Sequence, residues 1–124
     1  MNIAKLLQVK KEIFAAPEYF QLDAFFSDGN VGCEIRGCIA TWAVALEMGC
    51  TLKEAWIAVG CSPAMIMTRA GQILELSVDE QCVLFLVRNW PNRFYWGCAQ
   101  VNQDGETAQL AADFIDWFIA KNSI

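Results

Sequence analysis

The stretch that decides the fold is GCIATWAVALEM, from Gly37 to Met48, in which Glu47 is the one charged residue. Apolar side chains occupy every side of a helical wheel drawn for it, which is typical of a central helix surrounded by its neighbours. Trp42 and Leu46 lie one turn apart and are expected to define its inner face. We therefore predict an all-α fold, a compact bundle around this helix, which carries both a cysteine and a tryptophan.

Five further segments show a helical period or a helix-start signal. They are 2–15, Thr51 to about Gly60, Ser62 to about Glu75, Ser77 to Asn89, and Glu106 to Lys121. Thr51 and Ser77 each precede a glutamate by three residues, the spacing of a capping box. Residues 93–102 fit a short helix or an extended segment equally well. With no linker or repeat in the sequence, we predict a single helical domain, 1–124, of about five to seven helices.

Composition and charge narrow the classes of partner. The 124 residues are 56% apolar, more than one small core usually needs, so we expect a protein partner or a second copy in a homodimer. No apolar stretch approaches the roughly 20 residues of a membrane span. The net charge of −5 with scattered basic residues argues against nucleic acid. The first residues lack the continuous apolar block of a signal peptide, which predicts a cytoplasmic protein.

Catalytic chemistry has little support. The sequence contains no histidine, which removes the usual nucleophile pairs and imidazole metal ligands. No glycine-rich phosphate loop is present, and the carboxylates Asp113 and Asp116 fall on the polar face of the last helix. We predict no catalytic residue, no metal ion and no cofactor.

Three segments carry a resemblance: CEIRGCIATWA from Cys33 to Ala43, ILELSVDEQCVLF from Ile73 to Phe85, and NWP from Asn89 to Pro91. Together they resemble a loose group of small, mostly uncharacterised bacterial and phage proteins, whose pattern is C-x4-C, Ile-Ala-Gly-Trp-Ala, Leu-Gly-Leu, a capped helix ending in Leu-Phe, and Trp-Pro. This chain has Thr41 and Glu75 where the group has glycine. The resemblance implies a bacterial helical protein with a cysteine-bearing central helix, and no particular reaction.

Aromatic side chains crowd around Pro91, accompanied by arginine. The candidate interaction surface consists of Trp90, Arg93, Phe94, Tyr95 and Trp96. Rigid aromatics with arginine are typical of interface hot spots. We predict a non-enzymatic interaction or regulatory module that self-associates through this surface. The alternative, that these aromatics cover one end of the core, stays open.

The cysteines support two readings. Cys33 and Cys38 could form a redox pair or hold a metal, provided that the helix has not yet begun at Cys33, because five residues of helix would separate them too far. Glu34 and Arg36 between them could order the loop as an ion pair or recognise a ligand. In the other reading, Cys38 and the later cysteines Cys50, Cys61 and Cys82 are interior packing residues. A third function, binding a hydrophobic small molecule with the surplus apolar residues, is also open.

Overall fold

Helices make up most of the structure, a computed structural model that describes residues 1–21, 25–27, 36–91, 93–94 and 104–122. Within these ranges the α-helices are α1 Ile3–Ala15, α2 Ile39–Met48, α3 Leu52–Ala58, α4 Pro63–Ile73, α5 Val78–Phe85 and α6 Asp104–Asn122. Single 3-10 turns span Pro17–Tyr19 and Val87–Asn89, and a two-residue antiparallel pair joins β1 Phe26–Ser27 to β2 Arg36–Gly37. The all-α prediction is confirmed, and the bounds of six helices are given by the residues that the structure describes.

Local cap chemistry explains where the helices begin. In both predicted capping boxes the side chain accepts from the third helical amide: Glu54 N donates to Thr51 Oγ1 at 3.1 Å and Glu80 N to Ser77 Oγ at 3.2 Å. The glutamates accept in return from the Thr51 and Ser77 amides, at 3.1 and 2.8 Å. Because these bonds satisfy amides that have no partner within the helix, α3 and α5 start where the sequence predicts.

Left-handed residues explain where three helices end. Gly49, Gly60 and Glu75 have φ values of 64°, 71° and 56° after α2, α3 and α4. After Glu75, the amide of Leu76 donates to Gly71 O at 2.8 Å, which is the 6→1 hydrogen bond of a Schellman motif. Because a side chain is strained at positive φ, glycine would suit position 75 better than glutamate does.

The centre of the bundle is α2, which packs against α1, α3, α4 and α5. Its residues Ile39–Ala45 are all buried. The predicted inner face is wrong in part, because Leu46 is only half-buried and, with Trp42, lines a cleft at the surface. The fully buried Val44 lies on another side of the same helix.

Several boundaries differ from the sequence prediction by two to four residues, among them the ends of α4 and α5. Helix α5 ends at Phe85, four residues before Asn89, because the backbone of Leu86 is extended and a separate 3-10 turn follows. Helix α4 ends at Ile73, before the left-handed residue Glu75. No helix of the described chain combines the length and hydropathy of a membrane span.

Candidate apolar cleft beside the central helix

The candidate interaction surface is largely internal. Trp90 and Phe94 are only 4% and 7% exposed. The Trp90 ring stacks on Phe114 with centroids 3.9 Å apart, and its Nε1 donates to Leu84 O at 3.3 Å. Phe94 meets the same Phe114 ring edge-on at 5.3 Å. The prediction that Trp90 and Phe94 belong to an interaction surface is wrong, because both are buried and cover one end of the core.

Of the other three residues of the candidate interaction surface, one is exposed and two lie outside the described residues. Arg93 is exposed, with its guanidinium carbon 4.6 Å from the centre of the Phe94 ring. Both residues have helical backbone, which favours the helical option at the start of 93–102. Tyr95 and Trp96 lie outside the described residues.

The candidate redox loop is described only at its end. Cys33 and Glu34 lie outside the described residues, whereas Arg36 donates from Nη1 to Phe20 O at 3.4 Å. Cys38 has extended backbone as the N-cap of α2, with its Sγ 3.9 Å from Thr41 Oγ1. Burial raises the pKa of the Cys38 thiol, so it is protonated at neutral pH. A redox pair with Cys33 stays a prediction.

The later cysteines differ in exposure. Cys50 and Cys82 are half-buried, but Cys61 is exposed, so the packing role predicted for Cys61 is wrong. Cys61 follows Gly60 in the turn after α3, where its own φ is 55°, and this turn carries it out of the core. In the described chain no three cysteine or carboxylate side chains come together in a way that could hold a metal ion.

A cleft of about 470 Å³ opens on one side of α2. Its walls come from the 3-10 turn, from α2 and from the connection that starts α3. The lining residues are Tyr19, Trp42, Ala45, Leu46, Cys50, Thr51, Leu52 and Lys53.

One wall of this cleft is a face of α2, and helical spacing explains which residues share that face. Trp42, Ala45 and Leu46 stand at positions i, i+3 and i+4, so they share one face of α2. Trp42 Nε1 donates to Tyr19 O at 3.2 Å, which fixes the indole and joins the 3-10 turn to the helix. The indole therefore presents its carbon surface to the cleft with its polar atom already satisfied.

The opposite wall is set by the end of α2. The left-handed residue Gly49 turns the chain, and Cys50 N donates back to Ala45 O at 3.1 Å. Thr51 then begins α3 with its capping box, so its hydroxyl is engaged by the Glu54 amide. These bonds hold Cys50 and Thr51 against the side of α2.

The electrostatics of the cleft are close to neutral. Desolvation raises the pKa of the Cys50 thiol, and the Glu54 carboxylate raises it further, so the thiol carries no charge at neutral pH. Hydrogen bonds from the Thr51 amide and hydroxyl lower the pKa of Glu54, which keeps that carboxylate ionised. Lys53 is exposed at the rim. The interior thus offers carbon surface and a polarisable thiol.

Sequence reasoning did not locate this cleft, because its wall residues have the same composition as the core. Their pattern predicts an inner face for Trp42 and Leu46 and a packing role for Cys50. The signal that could have found it is the sequence Gly49-Cys50-Thr51, a helix end followed at once by a capping box. Such a tight connection places α3 beside the end of α2, next to the face that carries Trp42, Ala45 and Leu46.

Comparisons with known proteins add no relative. No protein-family model matches the sequence, and no curated protein or solved structure is significantly similar to it. The resemblance to small bacterial and phage proteins therefore stays a prediction.

Proposed function

We propose that the protein binds an apolar small molecule in the cleft beside α2 and does not convert it chemically. One observation carries the proposal: the cleft has a volume of about 470 Å³ and a largely apolar wall. Small-molecule sites are typically concave, mainly apolar and about 300–1,000 Å³ in volume.

The wall favours a ligand with a rigid, mainly hydrocarbon body. The Trp42 indole is fixed by its bond to Tyr19 O, so the site is largely formed before binding and little ordering is required. The Cys50 thiol, held uncharged, adds a polarisable contact. An aromatic or alicyclic ligand with few polar atoms suits these surfaces.

The proposal assigns the protein a binding or regulatory role in the cytoplasm of a bacterium. Reduced cysteines are normal in that compartment, and Cys38, Cys50, Cys61 and Cys82 are all free thiols. The chain is 56% apolar, more than one small core usually needs, and a ligand in the cleft would cover some of the apolar side chains that the core leaves accessible.

The test uses N-phenyl-1-naphthylamine, an uncharged dye whose fluorescence rises in apolar surroundings. Ala45→Leu places extra carbon atoms in the cleft wall, and we expect it to weaken dye binding at least about tenfold, which corresponds to about 1.4 kcal/mol. Ala120→Leu is the matched control, since Ala120 is exposed on α6 and lies away from the cleft lining.

Circular dichroism melting of both variants checks that each remains folded. Dye bound equally well by Ala45→Leu, Ala120→Leu and the wild type would refute the location. A wild-type protein that leaves the fluorescence of the dye unchanged would refute the proposed function.

A further inference from the structure

Helix α1 has two apolar faces, of which the bundle uses one. The buried face consists of Leu6, Val9 and Ile13. The other consists of Ile3, Leu7 and Phe14, which are 37%, 42% and 52% exposed. We call these three residues the outer face of α1.

Two ion pairs show where the outer face lies. Lys10 Nζ lies 2.7 Å from Asp116 Oδ1, which places α6 along one side of α1. Lys5 Nζ lies 3.1 Å from Glu47 Oε2, which places α2 along the other side. Helix α1 therefore lies between α2 and α6, and its outer face is directed away from the bundle.

The spacing of the outer face suits a partner helix. Ile3, Leu7 and Phe14 follow each other at intervals of four and seven residues, the spacing of the a and d positions of a coiled coil. Lys10 occupies the remaining position, where its alkyl stem can cover apolar surface while its ammonium binds Asp116. The outer face is thus a short seam, with one charged residue that is already paired.

Charges of opposite sign lie on the two sides of this seam. The helical repeat places Lys11, which is exposed, about 60° from the centre of the outer face on the side away from α6. On the other side α6 presents Asp116, which pairs with Lys10, and the exposed Asp113 shares that face of α6 by its i, i+3 spacing. In a parallel helix pair, opposite sides of the two seams meet, whereas in an antiparallel pair like sides meet. Self-pairing therefore brings Lys11 against acidic residues only when the helices are parallel.

We propose that a second copy of this chain docks on the outer face, with the two α1 helices parallel about a two-fold axis. A helix of 13 residues is about 20 Å long, so α1 alone buries less than the roughly 1,200 Å² of stable interfaces. The dimer is accordingly weak, with a Kd on the order of 100 μM. This interface is separate from the cleft, to which no residue of the outer face contributes.

Sedimentation velocity over protein concentrations from about 10 μM to about 1 mM, spanning that Kd, tests the proposal. We expect the sedimentation coefficient of the wild type to rise with concentration and that of Leu7→Glu to stay at the monomer value. Ile57→Glu is the matched control, because Ile57 is 57% exposed on α3 and should leave the dimer intact. A wild type that stays monomeric up to the highest concentration, or a Leu7→Glu variant that dimerises normally, would overturn it.

Charge reversal tests the parallel arrangement. Lys11→Glu should weaken the dimer, and adding Asp113→Lys in the same chain should restore it, because each altered charge then meets its opposite in the partner. Tighter association of Lys11→Glu alone would contradict the parallel pairing. Dye binding to the cleft should be the same in Leu7→Glu and wild type, so failure of either proposal is recognisable separately.

Discussion

Replacing Thr41 with valine tests how the segment around β1 is held on the central helix. Thr41 is fully buried, with 0% of its surface exposed. Its hydroxyl donates to the carbonyl oxygen of Phe25 at 2.6 Å. The same oxygen accepts from Cys38 N at 3.1 Å. Thr41→Val keeps the shape of the side chain and removes the donor, and the Phe25 carbonyl retains one of its two partners.

These contacts set the expected magnitude. Loss of one hydrogen bond from a carbonyl that keeps another should cost about 1 kcal/mol of unfolding free energy. Thr41→Ala also removes a buried methyl group, which adds about 1 kcal/mol. Thr41→Gly adds roughly another 1 kcal/mol because glycine is unfavourable inside a helix. The expected order of stability is therefore wild type, valine, alanine, glycine.

Urea unfolding followed by tryptophan fluorescence measures these differences, with the slope m expected to be unchanged. Circular dichroism at 222 nm, a second probe of the same transition, checks that unfolding is two-state. A valine variant as stable as the wild type would refute the reasoning, since it would mean that the bond to Phe25 contributes nothing. A valine variant as unstable as the alanine variant would show that more than one bond is lost.

Three further results are expected from single positions. Burial raises the pKa of Cys38 above its ordinary 9.0, so as the pH rises past 9.0 the unfolded chain loses this proton first and stability falls until the folded pKa is reached. Above pH 9.0 the free energy of unfolding should therefore fall with pH, and Cys38→Ala should make this fall shallower by up to about 1.4 kcal/mol per pH unit, as measured by urea unfolding at a series of pH values. Glu75→Gly should raise the free energy of unfolding, measured in urea, by about 0.5 kcal/mol. Glycine removes the backbone strain of a side chain at φ 56°, and this gain exceeds the entropy cost of glycine plus the loss of the exposed hydrogen bond from Asn2. Gly37→Ala should lower the stability of the wild type, because the added Cβ would lie 3.1 Å from Thr41 Cγ2. The same substitution should cost less stability in the Thr41→Gly background, where that methyl group is absent. A double-mutant cycle that shows no coupling between the two positions would contradict this.

The beginnings of helices could be predicted because their causes are local. Thr51 and Ser77 bond to amides three residues away, so the sequence contains both partners. The end of α5 is less predictable. Pro91 indicates that a helix must stop before it, but the break at Leu86 places the stop earlier, and the turn that follows leads to the buried Trp90.

The position of the aromatics around Pro91 depends on residues distant in sequence. Trp90 is buried because Phe114, on α6, supplies a stacking surface 3.9 Å away between ring centres. Nothing near Trp90 in the sequence specifies that partner, and a core cover and an interface hot spot have the same composition. Burial of such a residue is decided by packing between elements, which periodicity alone does not contain.

The surplus of apolar residues was readable from composition, but its location was not. Composition gives a total, whereas the structure shows two of the places where apolar side chains line the surface: the cleft wall around Ala45 and the outer face of α1. The two shapes select different occupants. A cleft of about 470 Å³ has the size of a small-molecule site, whereas an exposed helix face that carries Leu7 and Phe14 has the shape to pack against another surface. Because Ala45 and Leu7 lie on different helices, substitutions at each can change one kind of association and leave the other intact.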